Sequence, residues 1–219
     1  MRYIFSVLLV LAAITFSCND TPEKPLSFTE KVAMANGLDN WNTIDELRFT
    51  FNVDRDTMHF ERSWIWNPKT GQVSMTVNGE TITYNRDAVD ERSLQADKAF
   101  INDSYWLLAP FKLVWDEGYS MDSIIKAEAP ISKDSLYKLT ILYEDTVGYT
   151  PGDAYDFYIG EDYMVKEWVY REDNSESNCM MTTWEEYEEE GGLKLSTLHR
   201  DDTGHFSLYF TDIAVSTDN

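Results

Sequence analysis

The sequence has little of what disulfide scaffolds, metal centres and nucleic-acid surfaces need. Two cysteines in 219 residues exclude a disulfide framework and a Cys-rich zinc module. Lys and Arg number 18 against 39 Asp and Glu, for a formal net charge of -21. Such a chain repels phosphate backbones, which excludes nucleic-acid binding as its main activity. There is no G-x-S-x-G, H-E-x-x-H, C-x-x-C, Walker loop or Rossmann glycine run. No catalytic residue, metal ligand or cofactor is therefore assigned, and a non-enzymatic role is expected. Beyond residue 18 no apolar run is long enough for a membrane-spanning helix. Aromatic residues, by contrast, are abundant: 7 Trp, 13 Tyr and 11 Phe. That supply argues for a packed core despite the acidity.

Residues 1–17 (MRYIFSVLLVLAAITFS) place Arg2 before an apolar stretch of signal-peptide length, with the small Ser17 directly before Cys18. This resembles a bacterial lipoprotein signal, which implies cleavage before Cys18 and lipidation of its sulfur. Thr15 and Phe16 depart from the usual pattern, and an ordinary secretory signal with a chance Cys is the alternative. Residues 18–25 then form the lipidated Cys and a polar, Pro-containing linker. By the same resemblance, Asn19 after the Cys favours the outer membrane, and Asp20 and Glu23 resemble surface-export signals. The periplasmic and outer faces both remain open. With Cys18 lipidated, Cys179 is alone, and it is expected as a buried strand residue.

Residues 26–219 read as one domain. Residues 26–38 predict a helix with a Ser27/Glu30 capping box and Gly37 as its stop. Period-two alternation then begins with Leu47, Phe49, Phe51 and Val53. Met58, Phe60, Trp64 and Trp66 share one parity, interrupted by Arg62. Asn78-Gly79 is a hairpin signal, and residues 45–84 read as four antiparallel strands. Leu94, Ile101, Tyr105 and Leu108 fall on one helical stripe over 87–111, with Pro110 as its expected end. Residues 112–133 read as an irregular connection, and strands resume from Leu139 to Ala214. The total is about ten strands, near the size at which an open twisted sheet must curl. The expected fold is mainly β (α+β): a large curled antiparallel sheet, or half-barrel, with an N-terminal helix and a central helical insertion as lid.

Few residues suggest chemistry. His199 and His205 flank the Asp201–Gly204 turn and are expected as exposed residues on adjacent strands, without the ligand spacing of a metal site. Glu185, Glu186, Glu188, Glu189 and Glu190 lack calcium-loop spacing and read as a solvated strand end. Asp153 and Asp156 are expected to shape a turn. The aromatic set is the feature with functional content. Phe49, Phe51, Phe60, Trp64, Trp66, Tyr155, Phe157, Trp168 and Trp184 occupy strand positions, where aromatics also serve as core. As a set they are expected to line an apolar cavity, under a lid carrying Ile101, Tyr105 and Leu108.

This order of elements, over roughly residues 28–215, resembles the lipoprotein-carrier fold. That family includes the periplasmic lipoprotein localisation factor and its outer-membrane lipoprotein receptor. The segment 100–113 (FINDSYWLLAPFKL) also resembles one in a group of uncharacterised envelope lipoproteins. The resemblance implies a half-barrel with helices as lid and an apolar cavity for acyl chains. It transfers no individual binding residue. Two functions compete. One is a membrane-anchored envelope lipoprotein that binds or carries a lipid or other apolar ligand. The other is a structural or protein-interaction module of the outer membrane, with an envelope protein partner and no small-molecule site. A weaker third reading is a hydrolase using scattered carboxylates.

Overall fold

The computed structural model describes residues 24–144, 149 and 151–218. The expected signal segment 1–17, Cys18 and most of the expected linker lie outside the described residues. The first helix, α1 (Phe28–Ala35), begins as its sequence dictates. Ser27 Oγ accepts from the Glu30 N–H at 3.2 Å, and Glu30 Oε2 accepts from the Ser27 N–H at 2.6 Å. This reciprocal box satisfies two orphan donors of the first turn. Gly37 follows with φ +95°, the left-handed conformation that ends helices.

Next comes a four-stranded meander, β1 (Ile44–Arg55), β2 (Met58–Asn67), β3 (Gln72–Val77) and β4 (Glu80–Asn85). Asn78 and Gly79 both have positive φ, 52° and 80°, as a two-residue turn between twisted strands requires. Helix α2 (Leu94–Trp115) interrupts the strands. Then follow β5 (Tyr119–Met121), β6 (Ile125–Glu128), β7 (Ser135–Tyr143), β8 (Ala154–Ile159), β9 (Val165–Arg171), β10 (Cys179–Thr183), β11 (Glu185–Glu190), β12 (Leu193–Arg200) and β13 (Phe206–Thr217).

The ladders are antiparallel throughout. One sheet runs β11-β12-β13-β1-β2-β3-β4, the other β10-β9-β8-β7-β5, with β6 also on β7. A single extended segment joins them. Residues 179–183 pair with β9, and residues 185–190 pair with β12. Trp184 is the joint: its N–H donates to the Lys166 carbonyl at 2.7 Å, and its side chain is buried. Glu186, just beyond, takes φ +51°, a backbone kink of the kind that turns a strand into a new plane. The two sheets are thus one curled, open half-barrel. Among the described residues no ladder joins β4 to β5 or β6, so it does not close.

The described residues form thirteen strands where the periodicity suggests about ten. β5 and β6 occupy the stretch expected to be irregular, and residues 178–187, whose sequence reads as one strand, divide at Trp184. The second difference is α2, which runs through Pro110 to Trp115. Proline inside a helix forfeits one hydrogen bond and costs about 3 kcal/mol. Phe111 and Leu113, beyond it, are 0% and 1% exposed. Burial of that order, about 1.5–3 kcal/mol for each large apolar side chain, offsets the cost and carries the helix past the proline.

α2 fills the concavity. From Asp103 to Phe111 every residue is buried, so the middle of the helix is packed between α1 and the sheet. One contiguous core joins both sheets and α2 through Phe49, Trp64, Phe100, Leu107, Leu139, Phe157 and Trp168.

Candidate ligand-binding site

The half-barrel is longer than the part that α2 fills. Around the helix's second and third turns an open pocket of about 320 Å³ remains between α2 and the two sheet walls. Three groups of residues form it. α2 contributes Lys98, Ile101, Asn102, Tyr105 and Trp106, spaced at helical intervals and hence on one face. β1 and β13 contribute Phe51, Val53, Arg55, Phe206 and Leu208. Val53 lies opposite Leu208, and Arg55 opposite Phe206, so these four share the concave face. β8, β9 and β10 contribute Tyr155, Trp168, Tyr170 and Met180, and Tyr149 completes the rim.

The deep end is aromatic. Tyr105 stacks on Tyr155 and Trp168, with ring centroids 4.8 and 5.9 Å apart, and Trp106 meets Trp168 edge-on at 4.5 Å. Offset and edge-to-face packing of this kind adds about 0.5–1.5 kcal/mol per pair beyond burial. Several tyrosine hydroxyls are bound to protein partners. Tyr105 Oη lies 3.1 Å from Tyr143 Oη, and Tyr143 donates to Asp116 at 2.7 Å. Tyr170 donates to Asp153, and Tyr149 to Asp97, each at 2.8 Å. Burial pushes the Tyr105 and Tyr155 hydroxyls above the ordinary tyrosine range, so both rings are neutral at physiological pH.

The aromatic set divides by height along the barrel. Phe51, Tyr155 and Trp168 line the pocket. Phe49, Trp64, Phe157 and Trp184 are at most 3% exposed and belong to the solid core. Trp66 packs on Trp41 and Phe100. Phe60 is 42% exposed; it pairs with Val53, on a strand that extends past the reach of α2. Of the lid residues, Ile101 and Tyr105 line the pocket, while Leu108 is 1% exposed within the core, because the helix is already enclosed there.

Arg55 and Lys98 had no place in the sequence reading, yet each was marked by pattern. Arg55 continues the inward parity of Phe49, Phe51 and Val53. Lys98 sits at helical spacing from Ile101, Asn102 and Tyr105. In both cases a cation falls where the apolar period predicts another hydrophobe.

Other expectations are corrected by tertiary packing. Cys179 is exposed, because it opens β10 at its ragged end, opposite Arg171. His199 is fully buried, where its ring meets Trp106, Trp184 and Phe210. His205 stays exposed and reaches Asp56 at 3.0 Å. Asp156 does more than shape a turn: it is a buried counter-ion to Lys138 and Arg171 and accepts from Thr140.

Fold and site together define an open antiparallel half-barrel, threaded by a helix and carrying an aromatic pocket at one end. Solved structures similar to this chain include a LolA superfamily protein from Nitrosomonas europaea (TM-score 0.49, 9% identity, 88% of this chain and 93% of that one). A DUF1329 family protein from Desulfovibrio piger is also similar (TM-score 0.43, 9% identity, 85% and 92%). A third, from Vibrio parahaemolyticus, is a domain named for outer membrane lipoprotein sorting (TM-score 0.44, 11% identity, 86% and 93%). No family model and no curated protein matches the sequence.

Proposed function

We propose that this protein is a non-enzymatic envelope lipoprotein of the outer membrane, tethered through Cys18, that binds a lipid or other apolar ligand at the end of its half-barrel. The observation that carries the reading is the pocket itself. About 320 Å³ of space lies at the low end of the range for small-molecule sites. Its deep walls are Phe51, Tyr105, Trp106, Tyr155, Trp168 and Leu208. An apolar ligand there gains roughly 0.8 kcal/mol for each methylene removed from water.

The test is extraction of the purified chain from residue 24 onward, followed by mass spectrometry of the organic phase. A stoichiometric apolar compound is expected. Leu208→Glu should abolish it, while circular dichroism shows the strands intact. A protein that repeatedly yields no ligand, and takes up none when offered, overturns the reading. The anchor is tested separately: labelled palmitate should enter the full chain and not Cys18→Ser.

An envelope protein partner is the second reading. Met58 and Phe60 are 70% and 42% exposed and lie opposite Arg55 and Val53. They extend the apolar face of the pocket onto the next strand, where a docking segment would meet it.

A further inference from the structure

We propose that the pocket selects a single-chain amphiphile with an anionic head, a carboxylate or a phosphate monoester, held at the mouth by Arg55 and Lys98. The inference rests on the apolar-ligand reading and specifies its chemistry.

Charge is the first argument. In so acidic a chain, most basic side chains of the described residues are engaged by acids: Arg62 with Asp103, Arg86 with Asp97, Lys112 with Asp116, Arg171 with Asp156, Arg200 with Glu185. Arg55 and Lys98 form no ion pair among the described residues. Each instead lies over an aromatic ring of the same pocket, Arg55 over Phe206 at 5.5 Å and Lys98 over Tyr149 at 5.6 Å. Three nearby carboxylates among the described residues are engaged elsewhere, and Asp202, in the adjoining hollow that Arg55 also lines, forms no ion pair with it. Asp97 binds Arg86 and Tyr149, Asp56 binds His205, and Asp201 accepts from the Gly204 and Phe206 N–H groups. Two cations without an ion pair among the described residues therefore face the opening of an apolar pocket, an arrangement that complements an anion with an apolar tail.

Volume is the second. A 150 Å³ apolar cavity holds one benzene ring, so 320 Å³ corresponds to about a dozen carbons. That is one medium chain, less than the two or three chains of a phospholipid or an acylated cysteine would fill.

The experiment is calorimetric titration of the chain from residue 24 with dodecanoate, dodecyl phosphate and dodecanol below their aggregation limits, and with a two-chain phosphatidic acid. Both anions are expected to bind at least tenfold tighter than dodecanol. The two anions compared with each other distinguish carboxylate from phosphate recognition. Affinity should rise about fourfold per methylene up to roughly twelve carbons and then level off. In Arg55→Gln/Lys98→Gln the advantage of the anions over dodecanol should vanish. Equal binding of dodecanol and the anions, or an advantage that survives in the double variant, overturns the anionic-head inference and leaves the apolar pocket standing. Tighter binding of the two-chain lipid overturns the single-chain inference. Failure of every compound, dodecanol included, instead overturns the apolar-ligand reading.

Discussion

Arg62 on β2 grips Asp103 on α2 with two parallel hydrogen bonds, Nε to Oδ2 and Nη2 to Oδ1, each 2.7 Å. Asp103 has no solvent exposure and also accepts from Trp64 Nε1 at 2.8 Å and Asn102 Nδ2 at 3.0 Å. Burial pushes the Asp103 carboxyl up, and Arg62, Asn102 and Trp64 pull against it. The pair ties the helix inside the half-barrel to the sheet around it, at the one inward position of β2 where the apolar parity fails.

Removing one partner should be costly. Arg62→Met strands a buried carboxylate, and breaking such a pair costs about 3–5 kcal/mol. Without the guanidinium, the Asp103 carboxyl rises further above its unfolded value. The deficit should then be smallest at acid pH, where both states are protonated, and grow as pH rises. Urea unfolding from pH 4 to 8 checks this. Arg62→Met/Asp103→Leu should lose less than Arg62→Met alone, since no charge is stranded.

His199 should make the protein acid-sensitive in the histidine range. Nδ1 donates to the Thr183 carbonyl at 3.1 Å, and Nε2 has no hydrogen-bond partner among the described residues. Burial lowers its pKa to about 3, against weaker upward pulls from Thr183, Glu185 and the Trp106 backbone. Between pH 6.5 and about 3 only the unfolded chain takes this proton, so stability falls as pH falls, approaching 1.4 kcal/mol per unit. From pH 7 to 5 the loss should be about 2 kcal/mol. His59, raised by Asp54, works the other way, contributing stability at low pH that fades as pH rises. Comparison with His199→Gln cancels His59; if the variant keeps the parent's slope, the assignment is wrong.

Gly37 should tolerate no side chain. Its φ is +95°, and a Cβ there would sit 2.1 Å from the Gly192 carbonyl oxygen. Backbone must then move, and Gly37→Ala should cost about 2–4 kcal/mol. Gly79 has φ +80° with nothing within 4 Å of an added Cβ, so Gly79→Ala should cost only the backbone strain, about 1 kcal/mol. Paired thermal or urea melts read the difference.

Cys179 should react with a thiol reagent in the folded state. In the chain from residue 24 it is the sole cysteine, and it is exposed. One thiol should titrate without denaturant at a rate close to that of the unfolded chain. A reaction that waits for unfolding would return the residue to the interior.

Much of this architecture was legible locally. The capping box at Ser27, the period-two runs of β1 to β4 and the Asn78-Gly79 turn depend on neighbours a few residues away, and each formed as read. The curl followed from the number of strands. Pro110 does not end α2, because the local rule is outweighed by the burial of Phe111 and Leu113. His199 and Cys179 exchanged their expected places because the interior of a curled sheet depends on which strands reach its joint and its ends.

The sequence by itself determined the acidic surface, the alternation that makes strands, the helical stripe of α2 and the stock of aromatic side chains. Only the tertiary structure decided which aromatics are solid core and which line a space. Parity tells a residue which face it occupies. It does not tell how far along the barrel the helix fills the concavity. Phe49 and Phe51 share a face two residues apart, and only the position of α2 makes one core and the other pocket wall. The same placement left Arg55 and Lys98, two cations on apolar periods, at the open end.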